Sequence, residues 1–150
     1  MRTAKDIFQQ KGTQFNSIKF DKTVLEAIGL MKAENVCFFI VKDANDKYLG
    51  IFSERDYTHK VILENKQSST TKVSEIMTAN LANASLEDST SKLMLLINSS
   101  KARYLPVFDG NNFIGIITIH DLMREAMLDY EKGKQNLDAH QKEFLKNHGM

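Results

Sequence analysis

The sequence predicts an α+β fold in which two β-α-β-β-α repeats pack against each other with pseudo-two-fold symmetry. The first observation behind this is that residues 50–56 (GIFSERD) recur 65 positions later as residues 115–121 (GIITIHD). The second is that a β-like run precedes each copy, at 38–41 and at 104–108. An internal repeat of this kind indicates a duplicated supersecondary unit. Because half a chain of about 65 residues is small for an independent core, we expect the two halves to share one.

A short strand opens each repeat and a helix follows it. Residues 15–20 and 81–86 match each other and have the pattern of short strands. Behind them, apolar residues recur three and four positions apart, which is the spacing of one helix face. Small polar residues ahead of these positions can serve as N-caps. The helix positions are Val24, Ala27, Ile28 and Met31 behind Asp21 or Thr23, and Leu93, Leu96 and Ile97 behind Asp88 or Ser89.

A β-hairpin and a second helix complete each repeat. Residues 43–46 (DAND) and 109–112 (DGNN) have the turn chemistry that joins two antiparallel strands. The helices that follow the hairpins are predicted at 57–63 and 122–128. Each half therefore runs strand, helix, strand, strand, helix.

The repeats divide the chain into two domains, a linker and a tail. The domains are predicted at 1–64 and 73–128, and the linker at 65–72 is polar and rich in serine and threonine. Residues 129–150 are highly charged and form a predicted helical tail. Its apolar residues recur every seven positions, so they form one stripe that either docks on a neighbouring subunit or lies on a solvated helix. The residues of this stripe are Tyr130, Leu137 and Phe144.

Composition excludes several classes of protein. The 150 residues carry a formal net charge of +1, so the electrostatic footprint of a nucleic-acid-binding protein is missing. The longest apolar runs, such as 36–41, are far too short to span a membrane. Cys37 is the single cysteine, so no disulfide forms within the chain, and residues 1–6 lead into no signal-peptide core. We therefore expect a cytoplasmic protein.

The residues that usually perform catalysis do not cluster in the sequence. No phosphate-binding glycine loop, activated nucleophile or metal-ligand spacing is present, so we predict no catalytic residue, no metal site and no catalytic cofactor. The histidines, which show no metal-ligand spacing with cysteines or carboxylates, are His59, His120, His140 and His148.

Asp56 and Asp121 are the strongest candidates for binding. Each is predicted to lie where a strand ends and a helix begins, and one carboxylate there can accept hydrogen bonds from both hydroxyls of a ribose. Ser53 and Thr118 stand three residues earlier and could bond a phosphate or a sugar. The same spacing is also that of a capping box, which needs no ligand. Both interpretations remain open at this point.

Taken together, these segments resemble a pair of CBS domains, also called a Bateman module. The resemblance rests on residues 73–78 (VSEIMT), 103–107 (RYLPV) and 115–122 (GIITIHDL), and on 52–57 (FSERDY) in the first half. It covers roughly residues 1–125 and is greatest to small stand-alone CBS-pair proteins. It implies a disc-like pair with two clefts between the halves, which bind AMP, ADP, ATP, NAD or S-adenosylmethionine. It also implies assembly into homodimers.

The resemblance also assigns residues to the two clefts. Apolar members would hold the adenine, and the aspartates would hold the ribose. One cleft would combine Thr13, Ile18, Val36 and Cys37 with Ile116, Thr118 and Asp121, and the other Met77, Ala79 and Ala84 with Ile51, Ser53 and Asp56. Because Ala79 lacks the hydroxyl that Thr13 supplies in the first half, we expect the clefts to differ.

Arg55 and Arg103 are the candidates for binding phosphate, since a guanidinium matches phosphate oxygens and the family often carries a basic residue near Arg103. The alternative is that each arginine forms an exposed ion pair. We therefore expect a non-catalytic nucleotide sensor that acts on a separate, unknown protein. The alternative is a protein-interaction module whose clefts are filled by side chains such as Phe38 and Phe39.

Overall fold

The structure is a computed structural model that describes residues 1–148 of the chain. It contains two three-stranded sheets, one in each half, with helices before and after each hairpin. The first half contains β1 (Ser17–Lys19), α2 (Val24–Glu34), β2 (Phe38–Lys42), β3 (Tyr48–Ser53) and α3 (Glu54–Tyr57), and α3 continues as a π-helical turn over Thr58–Ile62. The second half contains β4 (Ala84–Ser85), α5 (Thr90–Ser100), β5 (Tyr104–Asp109), β6 (Asn112–Thr118) and α6 (Ile119–Asn147). A short helix precedes each half, α1 (Ala4–Lys11) the first and α4 (Val73–Ile76) the second.

The two sheets have the same topology and matching registers. In each, the first strand pairs parallel with the second, and the second pairs antiparallel with the third. Ile40 faces Ile51 in one hairpin, and Pro106 faces Ile116 in the other. The predicted α+β fold with two β-α-β-β-α repeats is confirmed.

The two hydrophobic cores do not follow the order of the chain. Ile7 and Phe8 of α1 are buried in the core of the second half, and Val73 and Ile76 of α4 are buried in the core of the first. Backbone bonds hold both segments there, since the amide of Ala4 donates to Asp88 and the amide of Val73 donates to Lys22. The predicted boundaries 1–64 and 73–128 therefore describe the sequence repeat. In the folded chain, each half packs its first short helix, α1 or α4, into the core of the other half.

A third apolar cluster joins the two sheets. Its buried members are Ile40, Ile51 and Ile116, and aromatic side chains from both halves pack around them. The ring of Tyr48 stacks on Phe113 with 4.5 Å between centroids. This cluster is the shared core that two small halves were predicted to need.

Several element bounds differ from those predicted. The helices after the hairpins begin at Glu54 and Ile119, three residues earlier than expected, because Ser53 and Thr118 are their N-caps. The opening strands are shorter than predicted, because only a few of their residues pair with the neighbouring strand. The predicted tail is the continuation of α6 as far as Asn147. The last two residues of the predicted tail lie outside the described residues.

Candidate functional site

Asp56 and Asp121 occupy the same place in the two halves. Each is the third residue of a helix, and its backbone N–H donates to the side chain of the N-cap residue, Ser53 or Thr118, at 3.3 Å. In return, Oδ2 of each aspartate accepts from the N-cap backbone N–H, at 2.9 Å from Ser53 and 2.8 Å from Thr118. The capping-box interpretation is therefore correct for both. It engages mainly one carboxylate oxygen, so a second role for the other oxygen is still possible.

The second oxygen of Asp56 faces the other half of the molecule. Oδ1 accepts from the Thr78 hydroxyl at 2.7 Å and lies 2.9 Å from the Lys60 ammonium. Lys60 also donates to the carbonyl of Ile76 at 3.2 Å. Asp56 itself is buried, with 6% of its surface exposed. This carboxylate therefore lies at the junction between the first repeat and the segment that opens the second.

Asp121 is held by a lysine from the N-terminal helix. The Lys11 ammonium lies 2.6 Å from Oδ2 and donates to the carbonyl of Ile116 at 2.7 Å. Arg124 reaches the other carboxylate oxygen at 3.3 Å. Burial favours a higher pKa for the Asp121 carboxyl, but hydrogen bonds from Lys11 and Thr118 outweigh it, and the pKa lies below its usual value. A side chain of the chain itself thus occupies the place beside Asp121.

An open cavity of about 570 Å³ lies beside Asp56. Its volume is within the range of small-molecule sites. The lining combines first-half residues with residues that begin the second half and that follow α5. These residues are Cys37, Ile51, Ser53, Glu54, Arg55, Asp56, His59, Lys60, Thr78, Leu81, Ser100, Lys101, Ala102, Arg103 and Tyr104.

Backbone and side-chain bonds between the halves hold this cavity in shape. Ile51 and Thr78 exchange two backbone hydrogen bonds, of 3.0 and 2.8 Å. Gly50 makes this approach possible, because a Cβ there would lie 2.7 Å from the carbonyl oxygen of Thr78. On another side, Cys37 Sγ and Tyr104 Oη share a hydrogen bond at 3.3 Å. Burial, and then the bond to Cys37, raises the pKa of the Tyr104 phenol.

The structure brings together some of the predicted site residues. Ile51, Ser53 and Asp56 line one cavity with both candidate arginines, Arg55 and Arg103. Cys37, which was assigned to the Asp121 cleft, lines this cavity instead. The binding role of these residues stays a prediction.

Other predicted residues lie elsewhere. Ile18 is buried in the core of the first half and Ala84 in that of the second. Val36 and Met77 are partly buried against the first core. Two of the remaining residues, Ile116 and Thr118, belong to β6. Thr13 lies close to Gly115 of β6, and Ala79 lies close to Gly50 of β3, since a Cβ added at either glycine would contact the backbone of that neighbour.

One sequence expectation was wrong by a single position. The hydroxyl thought to be missing at Ala79 is supplied by Thr78, which stands 65 residues after Thr13 and bonds Asp56. The first strands of the two hairpins are offset by 66 residues, which aligns Thr13 with Ala79, whereas the second strands are offset by 65, which aligns Thr13 with Thr78. The sequence interpretation also missed His59, Lys60 and Lys101, because only the folded chain brings them to the cavity.

The described residues form neither a cluster of metal ligands nor a membrane-spanning helix. Within residues 1–148, no three histidine, cysteine, aspartate or glutamate side chains lie close enough together to ligate a metal ion. Across the same stretch, no helix combines the length and the apolar character required to cross a bilayer.

Comparison with known proteins gives consistent matches. The family described as "CBS domain" matches residues 4–62 and 73–128. The chain is 30% identical to the mitochondrial CBS domain-containing protein CBSX3 of Arabidopsis thaliana, over 92% of this chain and 71% of that protein. The CBS-domain containing protein ATU1752 from Agrobacterium tumefaciens superposes with a TM-score of 0.74 at 30% identity, over 81% of this chain and 91% of that one. The hexameric CBS-CP12 protein from bloom-forming cyanobacteria gives 0.66 at 27% identity, over 82% and 70%.

Proposed function

Because the chain belongs to the CBS domain family and carries two copies of the domain, we propose that it is a regulatory module that binds an adenosine nucleotide beside Asp56 and catalyses no reaction itself. CBS-pair proteins are generally regulatory. The candidate ligands are AMP, ADP, ATP, NAD and S-adenosylmethionine, and no catalytic cofactor is part of the proposal. The cytoplasmic location stays a prediction.

The buried carboxylate of Asp56 at the edge of an open cavity carries this proposal. One oxygen is committed to the helix cap, and the other accepts from Thr78 and faces Lys60. Two vicinal ribose hydroxyls can replace Thr78 and Lys60 as donors, and hydrogen bonds to an ionised acceptor are stronger than neutral ones. Ile51 and Leu81 supply apolar surface for the base.

A ligand in this cavity would contact both halves, since Asp56 belongs to the first and Arg103 to the second. A ligand that binds one arrangement of the halves more tightly shifts the population toward it. The changed surface would then be recognised by a separate partner protein or by a second copy of the chain. One structural relative, the CBS-CP12 protein, is hexameric. This supports the proposal that copies of this chain also associate with one another, in the simplest case as a homodimer.

The test is a thermal-shift titration of wild type, Asp56→Asn and Asp121→Asn with AMP, ATP, NAD and S-adenosylmethionine. Both variants keep an oxygen for the capping box and both lose one lysine ion pair, so each controls for the other. At 100 times Kd, a ligand stabilises the native state by about 2.7 kcal/mol. We expect wild type and Asp121→Asn to respond to the same ligand, and Asp56→Asn not to respond. A wild type unmoved by all four ligands at millimolar concentration would refute the proposal.

A protein-interaction module without a ligand is the second candidate. One observation favours it: Lys11 already fills the space beside Asp121. Phe39, one of the side chains predicted to block a cleft, is instead buried in the first core, whereas Phe38 packs on Tyr104 at 4.3 Å between the sheets. Under this alternative, Asp56→Asn and Asp121→Asn would both leave partner capture unchanged.

A further inference from the structure

Basic side chains are concentrated around the Asp56 cavity. Its lining contains four cationic residues and two acidic ones, a formal charge of +2, whereas the whole chain carries only +1. The four cationic residues are Arg55, Lys60, Lys101 and Arg103.

Three of these cations form no ion pair with the described residues. Lys60 is paired with Asp56, but within residues 1–148 the side chains of Arg55, Lys101 and Arg103 form no ion pair to a carboxylate. All three are exposed, while Asp56 is buried. The cavity therefore has an acceptor for hydroxyl groups inside and free positive charge at its mouth. A molecule with a sugar at one end and a chain of phosphates at the other matches that polarity.

The four cations of this cavity are not repeated at the equivalent positions of the other half, where Lys11 and Arg124 instead pair with Asp121. Offsets of 65 and 66 residues superimpose the two repeats, so each cation has an equivalent position in the other repeat. None of the four counterparts is a lysine or an arginine, and one is an acid. The counterparts of Arg55, Lys60, Lys101 and Arg103 are His120, Glu125, Asn35 and Cys37. Since the fold is the same in both halves, packing does not require these charges.

Lys101 also occupies a backbone conformation that lysine disfavours. It ends α5 with φ 52° and ψ 25°, in the left-handed region, and Asn35 ends α2 with φ 54° and ψ 48°. Asparagine is common at such helix ends, whereas most other L-residues are strained there. The second half thus tolerates strain at a position where the first half has the favourable residue. The strained side chain is one that lines the cavity.

We propose that this cavity selects nucleotides that carry a di- or triphosphate chain, and that Lys101 is a residue that determines this selectivity. The inference rests on the proposed function and narrows its ligands. ADP and ATP extend two and three phosphates toward Arg55, Lys101 and Arg103, whereas AMP extends one. S-adenosylmethionine brings a sulfonium cation to the same basic mouth and is excluded by charge repulsion.

The test is calorimetric titration of the full chain with ATP, ADP, AMP, S-adenosylmethionine and inorganic tripolyphosphate. We expect ATP to bind at least about tenfold more tightly than AMP, and S-adenosylmethionine not to bind. In Lys101→Asn, ATP should weaken by about threefold to tenfold, as expected for losing one charge-assisted contact, and AMP by less than about twofold. The matched control is Lys134→Asn, which removes the same charge from the exposed part of α6 and should leave every affinity unchanged. The Tm of Lys101→Asn should be at or above that of wild type, because asparagine relieves the strain.

The outcomes separate this inference from the proposed function. Equal affinity for ATP and AMP, or an ATP-to-AMP ratio unchanged in Lys101→Asn, would overturn the selectivity while leaving nucleotide binding intact. Binding of tripolyphosphate that weakens in Lys101→Asn, with no added affinity from adenosine, would support the phosphate site and overturn the adenosine sensor. If neither tripolyphosphate nor any nucleotide binds, both proposals are wrong.

Discussion

At the scale of single residues, Asp56 and Asp121 each place one carboxylate oxygen in a helix cap and direct the other oxygen to a different side chain. The capping box uses Oδ2 of Asp56, and Oδ1 remains directed at Thr78 and Lys60. The sequence predicted the two roles as alternatives, because a spacing of three residues cannot tell which oxygen is engaged. Only the fold reveals that Thr78 meets Asp56 and that Lys11 meets Asp121.

Removing either N-cap hydroxyl should destabilise the chain. Ser53→Ala and Thr118→Ala each leave one helix N–H without its side-chain acceptor, which costs about 1 kcal/mol. Urea unfolding of each variant beside wild type measures the loss. Ser89→Ala, which removes a cap from α5 away from both aspartates, is the comparison. A free energy of unfolding unchanged in both capping variants would contradict the assignment.

Tyr48 predicts a stabilising substitution. Its hydroxyl is buried without a hydrogen-bond partner among the described residues, and burial raises the pKa of the phenol to about 12. Tyr48→Phe keeps the stacking on Phe113 and removes the unsatisfied group, so the free energy of unfolding should rise by about 1 kcal/mol. Thermal and urea unfolding measure the change. A loss of stability would show that the hydroxyl has a partner.

The Asp121 carboxyl predicts a pH dependence. Its pKa in the folded chain lies below the ordinary value of 3.8 for an aspartate, so the ionised form stabilises the fold above about that pH. This contribution is lost as the pH falls through the lower, folded pKa. The stability difference between wild type and Asp121→Asn should therefore be constant near neutrality and shrink in acid. Urea unfolding between neutral and strongly acidic pH measures it; a difference that grows in acid would contradict the Lys11 contact.

At the scale of elements, the helices α2 and α5 were predictable because their apolar spacing extends over two turns or more, and the hairpins because turn residues separate two β-like runs. The exchange of α1 and α4 was not. With four residues, α4 is too short to show a helical period, and no local pattern says that Phe8 packs in the second half while Val73 packs in the first. Long-range packing decides these placements, and it leaves no periodic signal.

We expect that the exposed part of α6 can be deleted with little loss of stability. Every residue from Asp129 to His148 is exposed, so a chain that ends at residue 128 loses no buried side chain. We expect its free energy of unfolding in dilute solution to fall by less than about 1 kcal/mol, as is usual away from buried features. A larger loss that depends on protein concentration would instead show that the stripe of Tyr130, Leu137 and Phe144 packs on a neighbouring subunit.

At the scale of the whole molecule, the two repeats have the same fold but differ in the side chains around their aspartates. The repeat in the sequence predicted both the pseudo-symmetry and the pair of aspartates. It also led us to expect unequal clefts with Arg55 and Arg103 near one of them. It did not predict that Lys11 occupies the place beside Asp121 or that Lys101 joins the Asp56 cavity, since these residues are far from the aspartates in sequence.

The most direct measurement is a crystal structure of the chain grown with ADP. We predict one nucleotide per chain beside Asp56, with both ribose hydroxyls on Asp56 and the phosphates against Lys101 and Arg103, while Lys11 still pairs with Asp121. An empty Asp56 cavity with the Thr78 and Lys60 contacts unchanged, or a nucleotide bound only beside Asp121, would contradict it.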